Sequence, residues 1–98
     1  MWWLWAIGRV ASGAEGGCSP NDDVRIALQE WLGNDRAGTT EALRAASVAF
    51  ACSGPVEPQT LARYWLVEGA VLHAEGDVEA ASDNFAGARR VAPEVWLP

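Results

Sequence analysis

The sequence is poor in basic residues and contains no lysine. Its seven basic residues are all arginine, and thirteen acids outnumber them to give a formal net charge of -6. Proteins that bind nucleic acid neutralise its phosphates with clustered Lys and Arg. The arginines here are scattered apart from the pair Arg89–Arg90, so we expect no nucleic-acid partner.

Residues and motifs typical of catalysis are also scarce. His73 is the only histidine, which excludes a multi-histidine metal site. The chain has no P-loop, GxGxxG or HExxH motif. The sequence therefore predicts a protein that is not an enzyme and has no cofactor, no metal site and no small-molecule substrate.

The two cysteines, Cys18 and Cys52, allow at most one internal disulfide. Neither belongs to a CxxC pair or to another spacing typical of metal ligands. Cys52 lies in a predicted helix, where a buried free thiol is the ordinary state. We interpret both cysteines as structural or incidental.

The apolar N-terminal run, residues 1–11, is too short to span a membrane. A spanning helix needs about 20 apolar residues, whereas this run would reach only about 15 Å as a helix and is interrupted by Gly8 and Arg9. It lacks the basic n-region of a secretory signal, although Val10-Ala11-Ser12 would suit a cleavage site. A cytoplasmic location is the first expectation, and export or membrane association is the alternative.

Half of the six tryptophans, namely Trp2, Trp3 and Trp5, lie in this N-terminal run. They predict either an extra helix packed on the domain or on a second copy, or a foothold at a membrane surface, where indole rings are favoured. The Gly- and Ser-rich stretch from Val10 to Pro20 is typical of a flexible joint. We therefore divide the chain into a Trp-rich segment, residues 1–18, and a helical domain, residues 19–98.

Beyond the joint, apolar residues recur with the period of an α-helix, and no stretch alternates as a strand would. Start and stop residues predict four helices. The starts are Ser19-Pro20, Thr39 or Thr40, Pro58 and Gly76-Asp77, and the ends are Gly33-Asn34-Asp35, Ser53-Gly54-Pro55, Gly76-Asp77 and Pro93.

The last third of the chain carries aromatic, small and turn residues at fixed separations. They are Trp65, Gly69, Leu72, Gly76, Ala81, Phe85, Ala88 and Pro93. Over residues 62–95 this pattern resembles the tetratricopeptide repeat (TPR), a helix–turn–helix unit of about 34 residues. Glu68 is the departure, because the family prefers Leu at that position.

The resemblance implies an all-α fold of helix–turn–helix hairpins stacked as a short α-solenoid, with four helices and the apolar N-terminal segment. Residues 38–42 echo residues 76–80, which predicts a degenerate, repeat-like hairpin upstream of the clear repeat. A single repeat cannot bury both faces and needs such a neighbour. We expect Trp96 to close the apolar C-terminal end.

In the TPR family, the first helices of successive units line a groove that takes a peptide or a partner helix. The corresponding groove residues here would be Arg63, Leu66, Ala70 and His73, which share one helical face. The alternative is that the upstream hairpin or the N-terminal segment covers this face, so that Leu66 and Ala70 are core. Leu66 and Ala70 also replace the polar residues with which chaperone-type members clamp a C-terminal carboxylate, so that mode is not expected.

The resemblance thus implies a non-catalytic protein–protein interaction module that binds a peptide or helix of a partner protein or associates with itself. The alternative function is an exported or envelope-associated helical protein that is targeted or anchored by its Trp-rich N-terminus.

Overall fold

The computed structural model describes residues 18–98. The expectations for Trp2, Trp3, Trp5 and the cleavage site lie outside the described residues. The described part of the chain forms four helices and no strand. They are α1 (Pro20–Leu32), α2 (Arg36–Cys52), α3 (Pro58–Ala74) and α4 (Val78–Val91).

The four helices form two stacked hairpins. Helix α1 packs along α2, and α3 packs along α4, while α3 also contacts both helices of the first hairpin. The predicted all-α stack of hairpins is therefore confirmed.

Proline and turn residues set the helix limits as predicted, with Pro20 and Pro58 in the first turns of α1 and α3. The predicted cap of α2 is wrong. The helix begins at Arg36 because the carboxylate of Asp35 accepts a hydrogen bond from the backbone N–H of Gly38 at 2.8 Å. Thr39 is instead a buried residue of the first turn, and its hydroxyl donates to the carbonyl of Asp35.

The core consists of two buried clusters that share α3. The first joins α1, α2 and α3 and contains Ala27, Ala42, Leu43, Val67 and Val71. The second joins α3, α4 and the C-terminal residues and contains Ala62, Leu66, Ala88, Ala92 and Val95. Trp31 packs against the first cluster and Trp65 against the second. Each hairpin therefore has one indole at the edge of its core.

Gly69 lies where α4 packs closely on α3. A Cβ atom at this position would lie 2.7 Å from Cε1 of Phe85 and 3.2 Å from Cβ of Asn84. Since real Cβ atoms do not tolerate such short contacts, only glycine fits unless Phe85 moves. The small residue predicted at this level therefore lets Phe85 of α4 lie directly against α3.

Cys18 and Cys52 form a disulfide, so the expectation of a buried free thiol at Cys52 is wrong. Cys18 lies just before α1, and Cys52 is the last residue of α2, so their Cα atoms lie 5.6 Å apart at the open end of the first hairpin. The periodicity of α2 predicts a helix at Cys52 but not how near the chain before α1 returns. That proximity follows from the antiparallel packing of α1 and α2.

The C-terminal residues fold back on the second hairpin. Val95 is buried in the second cluster, and Leu97 contacts both clusters. Trp96 remains 56% exposed and has the guanidinium of Arg89 at 5.7 Å from its ring centre. Val95 and Leu97 therefore close the apolar end. The expectation that Trp96 closes it is wrong.

Replacing Gly69 with leucine should destabilise the fold by about 1–3 kcal/mol, because the new side chain would force Phe85 and Asn84 away from α3. Urea unfolding followed by circular dichroism measures this change. Gly54 lies in the α2–α3 loop with open space around it, so the control Gly54→Leu should change stability by no more than about 0.5 kcal/mol. Equal stability of the two variants would contradict the close approach at Gly69.

The double substitution Cys18→Ser, Cys52→Ser should lower the free energy of unfolding by about 2–4 kcal/mol. The disulfide closes a loop with a sequence separation of 34 residues and restricts the unfolded chain. Urea unfolding with and without a thiol reductant provides the measurement. Reductant should destabilise the wild type and leave the double variant unchanged, whereas a wild type insensitive to reductant would argue against the bond.

Candidate functional site

A cleft lies between α1 and α3, the first helices of the two hairpins, and we call it the interhairpin cleft. It has a volume of about 320 Å³ and is lined by Asn21, Val24, Arg25, Leu28 and Arg63. Val24 is fully buried and Leu28 half-buried, so the cleft has an apolar floor. The two arginines place positive charge on the same surface.

The two helices are joined at one end of this cleft by a hydrogen bond between side chains. The hydroxyl of Thr60 donates to Oδ1 of Asn21 at 3.1 Å. Thr60 is almost fully buried, so leaving its hydroxyl without a partner would be costly. This bond helps to set the position of Arg63, one turn further along α3, relative to α1.

The two arginines of the cleft differ in how far their charge is already neutralised. Arg25 forms an ion pair with Asp22 at 2.9 Å on the surface of α1. The guanidinium of Arg63 is exposed and has neither a hydrogen bond nor an ion pair to any residue of the described chain. In a protein with a net charge of -6, Arg63 is therefore a cation available to an acidic group.

The structure separates the four predicted groove residues. Arg63 lines the interhairpin cleft, but Leu66 is 1% exposed and belongs to the second buried cluster with Val95. Leu66 therefore cannot line a groove, and the C-terminal residues account for its burial. Ala70 is half-buried and His73 is exposed at the end of α3, and neither lines the interhairpin cleft.

Sequence reasoning missed the contribution of α1 to this surface. Val24 and Leu28 were visible as an apolar stripe with a spacing of four residues. That stripe predicts a buried face but does not distinguish the core from the floor of a cleft. Only the stacking of the two hairpins places Arg25 beside Arg63.

A second cleft of about 370 Å³ lies between α2 and α3, and Glu68 is one of its polar lining residues. The carboxylate of Glu68 accepts hydrogen bonds from the amide of Asn84 at 2.7 Å and from the hydroxyl of Tyr64 at 3.4 Å. Burial raises the pKa of Tyr64, and the neighbouring carboxylate of Glu68 raises it further. The residue that departs from the repeat pattern thus connects α3 to α4.

A third cleft, which we call the acidic cleft, belongs to the first hairpin alone. Its volume is about 300 Å³, and its apolar floor of Ile26, Ala42 and Ala45 is surrounded by acids. The acids that line it are Asp23, Glu30, Asp35 and Glu41.

The pKa values of two of these acids, Glu30 and Asp23, are raised. A hydrogen bond with Asp35 raises the pKa of Glu30, and burial and the charge of Asp35 raise it further. Burial raises the pKa of Asp23, and the neighbouring Asp22 adds to the effect. A positive charge brought close to these acids, or protonation of one of them, therefore lowers the electrostatic repulsion in the acidic cleft.

Within residues 18–98, no group of three or more His, Cys, Asp or Glu side chains is placed to hold a metal ion. None of the helices there is long and apolar enough to cross a membrane.

Comparison with known proteins returned no match to a family model, to a curated protein or to a solved structure.

The Glu30→Gln variant should become more stable relative to wild type as the pH rises. Folding raises the pKa of Glu30, so protonated Glu30 stabilises the wild type. This contribution to the free energy of unfolding is fully present below the unfolded pKa and is lost as the pH rises through the folded pKa. Glutamine keeps a donor for Asp35 and carries no charge. Melting temperatures measured between about pH 3 and pH 7 bracket this titration.

The Asp22→Asn variant is an internal control of opposite sign. Hydrogen bonds from Ser19 and Arg25 lower the pKa of Asp22, so its stability is present above the unfolded pKa and lost as the pH falls. This variant should become less stable relative to wild type as the pH rises. If both variants changed in the same direction with pH, the assigned contact between Glu30 and Asp35 would be wrong.

Proposed function

We propose that this protein is a non-catalytic protein–protein interaction module of TPR type, and that the interhairpin cleft receives a segment of a partner protein. The observation that carries the proposal is the exposed guanidinium of Arg63, which has no ion pair within residues 18–98 and lies beside an apolar floor. Two stacked hairpins with adjacent first helices support the resemblance noted in residues 62–95.

The chemistry of the cleft selects a particular kind of segment. Half-buried Leu28 would contact an apolar side chain above the buried Val24, and the guanidinium of Arg63 would bind a carboxylate in a charge-assisted hydrogen bond. The cleft volume of about 320 Å³ accommodates one or two side chains rather than a whole helix. The partner segment is therefore an extended peptide with an apolar residue near an acid.

Selection of short random peptides displayed on phage against the full-length protein tests this proposal. The enriched peptides should combine apolar and acidic residues. Synthetic copies should bind Arg63→Glu at least about tenfold more weakly than wild type, since the substitution places two like charges together. Isothermal titration calorimetry measures the affinities.

Arg44→Glu is the control, because Arg44 is an exposed arginine that lines the cleft between α2 and α3 and, unlike Arg63, already forms an ion pair, with Glu41 at 2.9 Å. This variant should bind the same peptides with wild-type affinity. Peptides that lose affinity for Arg44→Glu and keep it for Arg63→Glu would place binding in the other cleft and contradict the proposal.

One observation favours a second candidate function, that of an exported or envelope-associated protein. The Cys18–Cys52 disulfide is of a kind that persists in oxidising compartments and is rare in the cytosol. The module function and export are compatible, because a binding cleft operates in either compartment. Mass spectrometry of the chain isolated from its host, alkylated before reduction, tests export. Free thiols together with an uncleaved N-terminus would contradict it.

A further inference from the structure

Apart from the interhairpin cleft, the two hairpins carry two surfaces of opposite character. The acidic cleft on the first hairpin has four carboxylates around a small apolar floor. A cleft of about 430 Å³ on the second hairpin, which we call the tail cleft, is lined by Ser82, Phe85, Ala86, Arg89 and Trp96. Its only charged lining residue is an arginine, and Arg90 follows it in the sequence.

Each of these surfaces leaves a large apolar side chain in water. Trp96 is 56% exposed in the tail cleft, and Ile26 is 44% exposed in the acidic cleft. The guanidinium carbon of Arg89 lies over the indole ring of Trp96, 5.7 Å from the ring centre. The stacked pair presents a flat apolar ring with a positive charge on one side.

We propose that the acidic cleft of one molecule receives the Trp96–Arg89 pair of a second copy. The indole would lie on Ala42 and Ala45, whose small side chains leave room for a ring, and against the exposed edge of Ile26. Arg89 would then face the carboxylates of the rim. This inference rests on the proposed interaction function and names a second copy of this chain as one partner.

The electrostatics of the acidic cleft favour this occupant over a neutral one. Four acids line it, and the charge of Asp35 contributes to the raised pKa of Glu30, so at least these two acids repel each other. An arginine brought among them relieves the repulsion, as charge complementarity across an interface requires. The tail cleft supplies both the positive charge and the apolar ring that the acidic cleft lacks.

The contact is head-to-tail because the acidic cleft lies on the first hairpin and the tail cleft on the second. A contact between two different surfaces leaves one free surface at each end, so it extends into a chain of molecules unless the geometry closes a ring. Successive copies would thereby continue the stack of hairpins from one molecule to the next.

Sedimentation velocity of the full-length, oxidised protein at micromolar to millimolar concentrations tests the proposal. The wild type should form dimers and larger species, and raising the salt concentration should reduce them. Trp96→Ala removes the indole, and Ala45→Arg fills the acidic cleft. Each variant should lower the association constant by at least about tenfold, the scale expected for losing a buried aromatic anchor.

Mixing the two variants gives the decisive result. Ala45→Arg retains an intact tail cleft, and Trp96→Ala retains an intact acidic cleft, so an equimolar mixture should form a one-to-one dimer that grows no further. Val48→Arg is the control, because Val48 is an exposed residue of α2 that does not line the acidic cleft. It should associate as the wild type does.

A wild type that stays monomeric throughout this range would overturn the proposal. An effect of only one variant would also overturn it, because a contact between the acidic cleft and the tail cleft requires both. Because neither variant changes the interhairpin cleft, peptide binding at Arg63 is measured independently of this result.

Discussion

Helix α3 packs against each of the other three described helices, and the remaining structure depends on that shared position. One side of α3 supplies Val67 and Val71 to the first buried cluster. The other side supplies Ala62 and Leu66 to the second. A helix covered on several sides has no wide face left for charged residues, which explains why its sequence is apolar nearly all round. Displacing α3 would therefore open both clusters together.

The polar side chains of α3 are placed where they connect helices. Burying a polar group costs free energy unless it has a hydrogen-bond partner. Thr60 donates to Asn21 of α1, and Glu68 accepts from Asn84 of α4. No buried side-chain nitrogen or oxygen of the described residues lacks a partner. These bonds favour one alignment of the helices, whereas contacts among small apolar residues such as Ala62 and Ala88 tolerate sliding.

The three surfaces that carry the proposals all follow from stacking two hairpins with small residues in their cores. Many core positions are alanine, so the helices lie close together where alanines meet and leave clefts where larger side chains keep them apart. Charges are then distributed unevenly over these clefts. Arg25 and Arg63 meet in the interhairpin cleft, while the acids of α1 and α2 surround the acidic cleft. The arginines and the acids of this acidic protein therefore line different clefts.

The number of helices and most of their limits could be predicted from the sequence, because they depend on local chemistry. Proline in a first turn, glycine and aspartate in a turn, and a period of 3.6 residues act over a few residues only. The cap of α2 was misplaced because Asp35 and Thr39 are both good caps, and the choice between them depends on which side chain the fold buries. The close contact at Gly69 was visible because it belongs to a pattern of fixed spacing.

The sequence by itself therefore determined the four helices, their hairpin pairing and the small residues on which that pairing depends. Only the tertiary structure decided that Cys18 meets Cys52, and that Val95 and Leu97 rather than Trp96 close the end. It also decided that Leu66 is core, while Arg63 is exposed and has no ion pair within residues 18–98. Each of these outcomes depends on which residues distant in the chain become neighbours. That proximity is set by how whole helices pack, so it cannot be predicted from the periodicity of one helix.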